Sequence, residues 1–158
     1  MSTVATWQIE SSSSEDTFGL GERLGLNCRG GEVFLLVSDL GGGKTTFVQG
    51  LASGLGSTEH AGSPTYTISR IYACKNGLYL HHFDFYRLQE AGVVAHELSE
   101  VIDDPKAIVA VEWGDVVSDV LPERAITLTL ARTPDSEQHR HITISCPSGS
   151  LYVLDGLK

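Results

Sequence analysis

Three consecutive glycines followed by lysine and threonine, held between an apolar run and a helical one, constrain this chain more than any other feature. Residues 33–37 read Val-Phe-Leu-Leu-Val, a short β-rich run suited to a strand buried on both faces. Ser38, Asp39, Leu40, Gly41, Gly42, Gly43, Lys44 and Thr45 come next. Residues 46–55 then put Phe47, Val48, Leu51 and Leu55 on one side of a helix. Strand, glycine loop and helix in that order match the phosphate-loop pattern G-x-x-x-x-G-K-[ST], with Ser38 in place of the first glycine.

Chemistry accounts for each residue type. The oxygens of a polyphosphate need several donors converging on one concave surface. Successive backbone N–H groups supply them only where no Cβ blocks the approach. Gly41, Gly42 and Gly43 meet that need. The helix opening near Lys44 adds its unsatisfied N–H groups and its dipole. Lys44 is placed to reach the β- and γ-phosphates, and the Thr45 hydroxyl to ligate Mg²⁺. Serine at position 38 is compatible with such a loop where its backbone angles are allowed ones.

A phosphate loop works with a further carboxylate on the magnesium side, usually after a buried strand. Two acids stand in such places. Glu112 directly follows the apolar run Ala-Ile-Val-Ala-Val at 107–111, and Asp84 follows the strand-like segment 78–83. Either fits the role.

The other segments read as parts of one α/β domain, of two or three layers, spanning residues 1–158. Residues 11–14 are serines leading into a helix that carries Phe18, Leu20, Leu24 and Leu26, with Ser14 or Asp16 as its N-cap. Residues 65–73 and 78–83 read as strands joined by an Asn76-Gly77 turn. Residues 88–102 hold one or two short helices. Residues 125–131 and 141–145 alternate as late strands with one solvated face, with Pro134 and Asp135 in the loop between. Residues 151–157 add a small strand or simply pack.

Charge narrows the partners. Twenty acidic residues against eleven basic ones give a net charge of −9, and the basic residues form no run. A broad basic surface for DNA or free RNA is excluded, as is a polybasic membrane patch. No apolar stretch approaches the roughly 20 residues of a spanning helix. The first ten residues lack the basic and apolar regions of a signal peptide, so the expected compartment is the cytoplasm. Cys28, Cys74 and Cys146 are widely spaced, without a C-x-x-C, and read as reduced thiols. His81 and His82 are adjacent, so on a strand they point to opposite faces and chelate poorly.

Four segments in series resemble one family. Ser38 to Thr46, then Ser63-Pro64-Thr65-Tyr66-Thr67, then His82-Phe83-Asp84-Phe85-Tyr86-Arg87-Leu88, then Val111-Glu112-Trp113 match the order and spacing of the TsaE family. Leu20-Gly21-Glu22-Arg23 also fits that family's first helix. The family pattern has glycine at position 38 and commonly alanine at 42, so this chain departs twice. The resemblance implies a P-loop NTPase-like α/β domain whose central mixed sheet is flanked by helices. It implies ATP and Mg²⁺ as cofactors. Lys44 and the Gly41, Gly42 and Gly43 backbone would hold the phosphates, and Thr46 would contact the α-phosphate. Thr45 and Glu112 would stand on the magnesium side. Asp84 would lie near the γ-phosphate and assist hydrolysis, Trp113 would sit beside Glu112, and Ser63 and Thr65 would belong to a nucleotide-responsive loop.

The resemblance also implies a role: an ATPase subunit for threonylcarbamoyladenosine synthesis on ANN-decoding tRNAs, acting with TsaB and TsaD and touching tRNA only through them. Two other readings fit a phosphate loop. A small-molecule kinase would need an acceptor pocket and usually an arginine-bearing lid, and no arginine-rich segment is present. A nucleotide-dependent binding module would hydrolyse only incidentally. The base-reading residues have no recognisable motif; the 11–16 segment and the region of Arg132 are the places that could close over a base.

Overall fold

The computed structural model describes residues 3–38, 43–59, 69–86, 88–90, 92–134 and 136–157. Gly41, Gly42, Ser63, Thr65 and Arg87 lie outside them. Along the chain come β1 (Val4–Ser11), α1 (Ser14–Asn27), β2 (Val33–Ser38), α2 (Lys44–Gly54), β3 (Ser69–Ala73), β4 (Tyr79–Asp84), α3 (Gly92–Ile102), β5 (Ala107–Glu112), β6 (Ile126–Thr133) and β7 (Ser136–Pro147). Short 3₁₀ segments cover Lys75–Gly77, Gly114–Val120 and Ser148–Leu154.

The strands form one sheet in the order β1-β7-β6-β2-β5-β4-β3. β2 lies between β5 and β6 and is parallel to both, and β4 is parallel to β5. Antiparallel β7 and β1 extend one side, and β3 the other. The expected mixed sheet is present. Its parallel centre is covered on both faces, as the unbroken apolar runs require. All six residues of β5 are buried. In β2 the burial stops short: Val37 is 44% exposed, because the strand runs past its cover at the carboxyl end.

Alternation along the strands divides the interior in two. Phe34, Leu36, Leu80, Ile108 and Ala110 face α1 and α2, with Leu24, Phe47 and Leu51 packed on them. Val33, Phe83, Val109 and Val111 face α3, with Leu98 and Ile102. The result is helix, sheet and helix in three layers.

Local chemistry moves several boundaries. Ser13, not Ser14 or Asp16, is the N-cap of α1: its Oγ accepts the Asp16 N–H at 3.2 Å, while Asp16 Oδ2 accepts the Ser12 N–H at 2.9 Å. β1 is an additional strand, paired over its whole length with β7. The β3–β4 hairpin forms, with Asn76 at φ 62° and Gly77 at φ 74°, the left-handed pair that Asn-Gly supplies. Residues 88–102 hold one helix of eleven residues, and the tail packs as a 3₁₀ segment rather than a strand.

α1 and α2 cross with their backbones almost touching. A Cβ on Gly21 would lie 2.3 Å from Phe47 O, and one on Gly50 would lie 2.0 Å from Phe18 O. Gly25 and Gly54, one turn on, are equally confined, at 2.5 Å from Leu51 O and 2.1 Å from Glu22 O. The helix that begins at Lys44 is thereby fixed against α1.

Candidate functional site

The carboxyl ends of the parallel strands gather the candidate residues. Ser38 ends β2, Asp84 ends β4 and Glu112 ends β5. Asp84 and Glu112 are register partners, and so are Leu36 and Glu112. In a parallel pair such partners point to the same face, here the face of α2. α2 follows β2, which is next to the strand ending in Glu112 and two strands from the one ending in Asp84, and Lys44 is its first residue. Ligands of open α/β sheets bind in this crevice.

Gly43 is the N-cap of α2, at φ 103° and ψ 9°. Its need for glycine is conformational rather than spatial, since a Cβ there would meet nothing closer than 3.6 Å. It brings no side chain to cap the first turn. Helix-opening N–H groups have no intrahelical acceptor, and an anion satisfies them. Ser38 causes no strain: it is ladder backbone, paired with Leu130. Its Oγ and its carbonyl oxygen accept hydrogen bonds from Lys44 Nζ at 3.0 and 3.2 Å. The departure from glycine at this position therefore leaves the start of the loop ordinary, and adds a hydroxyl for the lysine.

Lys44 is buried, with 6% of its surface exposed. Its Nζ lies 4.4 Å from the centre of the Trp113 ring, over the face where a cation is attracted. Trp113 adopts φ 58° and ψ 49°, a left-handed conformation unusual for so bulky a residue. That turn directs the chain away immediately after Glu112. The ring of Tyr86, itself half exposed, packs against Trp113 at 5.0 Å between centroids. Tyr86 thus forms the outer wall of the Trp113 contact.

The two acids differ. Burial pushes the Asp84 carboxyl above the usual aspartate range, and the charge of Glu112 pushes the same way. The Tyr86 N–H, donated to Asp84 Oδ1 at 3.0 Å, acts against this, as do His82 and Lys44. Glu112 is 2% exposed, and its Oε2 lies 2.5 Å from Nε2 of the fully buried His82. The histidines do point to opposite faces: His81 stacks on Phe83 at 4.3 Å, on the α3 side. Sequence reasoning gave His82 no role, although its place two residues before Asp84 on a strand put both on one face.

Two neighbouring carboxylates, Asp84 and Glu112, and the first turn of α2, which carries Thr45, offer oxygen donors beside an anion-attracting terminus. Such a set suits a hard divalent cation, and Mg²⁺ characteristically takes only one or two carboxylates and fills the rest with phosphates and water. Thr46 lines a small cavity of about 150 Å³ with Ser14, Thr17, Gly43, Glu137, Gln138 and Arg140. A larger one, about 440 Å³, lies at the opposite, amino ends of the parallel strands, beside Glu32. That carboxylate is already engaged by the Arg29 and Gly30 N–H groups and the Tyr152 hydroxyl. Size alone does not make it the site.

These features define an α/β protein of the P-loop NTPase fold. The fold agrees with the crystal structure of Bacillus subtilis YdiB, with a TM-score of 0.71 at 27% identity over 94% of this chain and 89% of that one. Residues 11–142 match the family model for the threonylcarbamoyl adenosine biosynthesis protein TsaE, and the chain belongs to that family. Among relatives named tRNA threonylcarbamoyladenosine biosynthesis protein TsaE, the one from Treponema pallidum is 35% identical over 85% of this chain and 97% of its own length. The one from Bacillus subtilis is 34% identical over 83% and 80%. The one from Nostoc is 43% identical over 64% of each chain, so the match there spans less than two thirds of the relative.

Proposed function

We propose that this chain binds and hydrolyses Mg-ATP as the ATPase subunit of tRNA threonylcarbamoyladenosine synthesis, working with TsaB and TsaD in the cytoplasm and meeting tRNA through them. One observation carries the ATPase reading: Lys44, Asp84, Glu112 and Trp113 meet at the carboxyl edge of the parallel strands, where α2 begins. The family membership carries the pathway. The partners are read from the resemblance of the motifs.

Within that reading the chain's own groups divide the work. Lys44 leaves the Trp113 ring for the β- and γ-phosphates. Gly43, with Gly41 and Gly42, which lie outside the described residues, would offer backbone N–H groups to the phosphates, and Thr46 would meet the α-phosphate. Thr45 and Glu112 would hold a magnesium ion, which would supply charge stabilisation for the phosphate oxygens. Asp84, whose carboxyl feels the charge of Glu112, would lie near the γ-phosphate and assist hydrolysis. Ser63 and Thr65, outside the described residues, belong to the loop that answers to the γ-phosphate. The nucleoside end lies toward the cavity of Thr17, Thr46 and Arg140.

The deciding experiment is Mg²⁺-dependent ATP hydrolysis by the purified chain, alone and with TsaB and TsaD. Turnover strongly raised by the pair and abolished in Lys44→Ala is the expected result. Rates indifferent to the pair would overturn the partner assignment. Normal hydrolysis by Lys44→Ala would overturn the site. Transfer of phosphate to a metabolite without any partner would favour the kinase reading instead.

A further inference from the structure

We infer that His82 is the positioning residue for Glu112: as the Nε2–H tautomer it donates to Oε2 and holds the carboxylate in one orientation, with Oε1 left to serve the site. The inference rests on the proposed Mg-ATP reading for its consequence, but not for its geometry.

Four observations converge on it. Nε2 of His82 and Oε2 of Glu112 are in hydrogen-bond contact, 2.5 Å apart. Both partners are sealed, His82 with no exposed surface and Glu112 with 2%. They sit on adjacent parallel strands, where His82 is level with Ala110 and Asp84 with Glu112, so the histidine approaches the carboxylate from one step below. Nδ1 of His82 is enclosed without a hydrogen-bond partner among the described residues.

The last point fixes the tautomer. An ionised carboxylate only accepts, so the nitrogen facing it must carry the hydrogen. A neutral imidazole then has a bare lone pair at Nδ1. The alternative tautomer would set two lone pairs against each other at Nε2 and bury an N–H at Nδ1 with no acceptor. No hydrogen bond of Glu112 Oε1 is seen among the described residues, whereas Oε2 is held and the backbone carbonyl accepts the Phe85 N–H at 3.0 Å. A side chain pinned at one oxygen and at its own backbone presents the other in a fixed place. Outer partners of this kind orient metal-side carboxylates, and their loss typically lowers metal affinity or activity by about 10–100-fold.

The test combines a spectrum with two variants. In the nucleotide-free chain, side-chain ¹⁵N shifts of His82 should report a protonated Nε2 and an unprotonated Nδ1; the reverse pattern overturns the inference. Calorimetric titration of ATP with and without Mg²⁺ then reads the consequence. His82→Leu should lose about 10–100-fold in Mg²⁺-dependent affinity and in kcat, with Mg²⁺-free binding at Lys44 unchanged. His82→Gln, whose amide can donate from a similar place, should recover most of that loss. A Leu variant with the wild-type Mg²⁺ dependence overturns the inference, as does a Gln variant as impaired as Leu at equal melting temperature. If the Leu variant does not fold, the Gln variant and the spectrum decide. Wild-type chain that binds no nucleotide under any condition would overturn the ATP reading, and the spectrum would still judge the His82–Glu112 bond.

Discussion

At the scale of single residues, Lys44 and Trp113 are coupled before any phosphate arrives. The ammonium rests on the indole at 4.4 Å, and phosphate oxygens compete for the same charge. Adding ATP should therefore change tryptophan emission, and Trp113→Phe, which leaves only Trp7, should abolish the change; a titration that leaves the wild-type spectrum flat would show that the lysine stays on the ring. Asp84 carries a different tension. Its folded-state pKa is raised above that of an exposed aspartate, chiefly by burial. Below that value both folded and unfolded states hold the proton and nothing is lost. As pH rises through it the unfolded chain ionises first, so stability falls until the folded-state group ionises too. Asp84→Asn should thus melt higher than wild type at neutral pH and equally in acid, while hydrolysing ATP poorly. Equal melting curves at neutral pH would mean that its neighbours already compensate the charge.

Among the elements, the crossing of α1 and α2 decides how firmly the phosphate-binding helix is held. Gly50→Ala drives a methyl to 2.0 Å from Phe18 O, and such overpacking costs about 1–3 kcal/mol. Gly19 lies in the same helix as Gly21 but has nothing within 4 Å of a Cβ, so Gly19→Ala should gain about 0.5–1 kcal/mol from propensity alone. Urea denaturation of the two variants should move the midpoints in opposite directions. Movement in the same direction would show that the helices can slide apart. The four-residue spacing of Gly21 with Gly25 and of Gly50 with Gly54 was open to reading in the sequence, yet which glycine meets a backbone depends on how the helices cross. β2 and β5 were legible because burial on both faces leaves the unbroken apolar runs at 33–37 and 107–111. β1 was not singled out. Its Ala5, Trp7 and Ile9 alternate with Thr6, Gln8 and Glu10, but polar serines follow and it pairs with distant β7. His82 was hidden for a related reason: its partner, Glu112, lies thirty residues on, and only the strand register brings them together.

For the whole molecule, a ligand that binds only the folded state stabilises it by mass action. Mg-ATP at 100 times its dissociation constant should add about 2.7 kcal/mol, read as a rise in melting temperature, and Lys44→Ala should show almost none. An equal rise in that variant would place the nucleotide elsewhere. The sheet order also has a consequence for how the chain is made. The first strand to leave the ribosome, β1, hydrogen-bonds to the last, with Val4 opposite Pro147 and Ser11 opposite Arg140. At roughly 5–20 residues per second, β1 waits on the order of ten seconds for its partner. Over that interval its backbone is an open template, and the threonine, glutamine and glutamate along its other face keep it from presenting two apolar sides to neighbouring nascent chains.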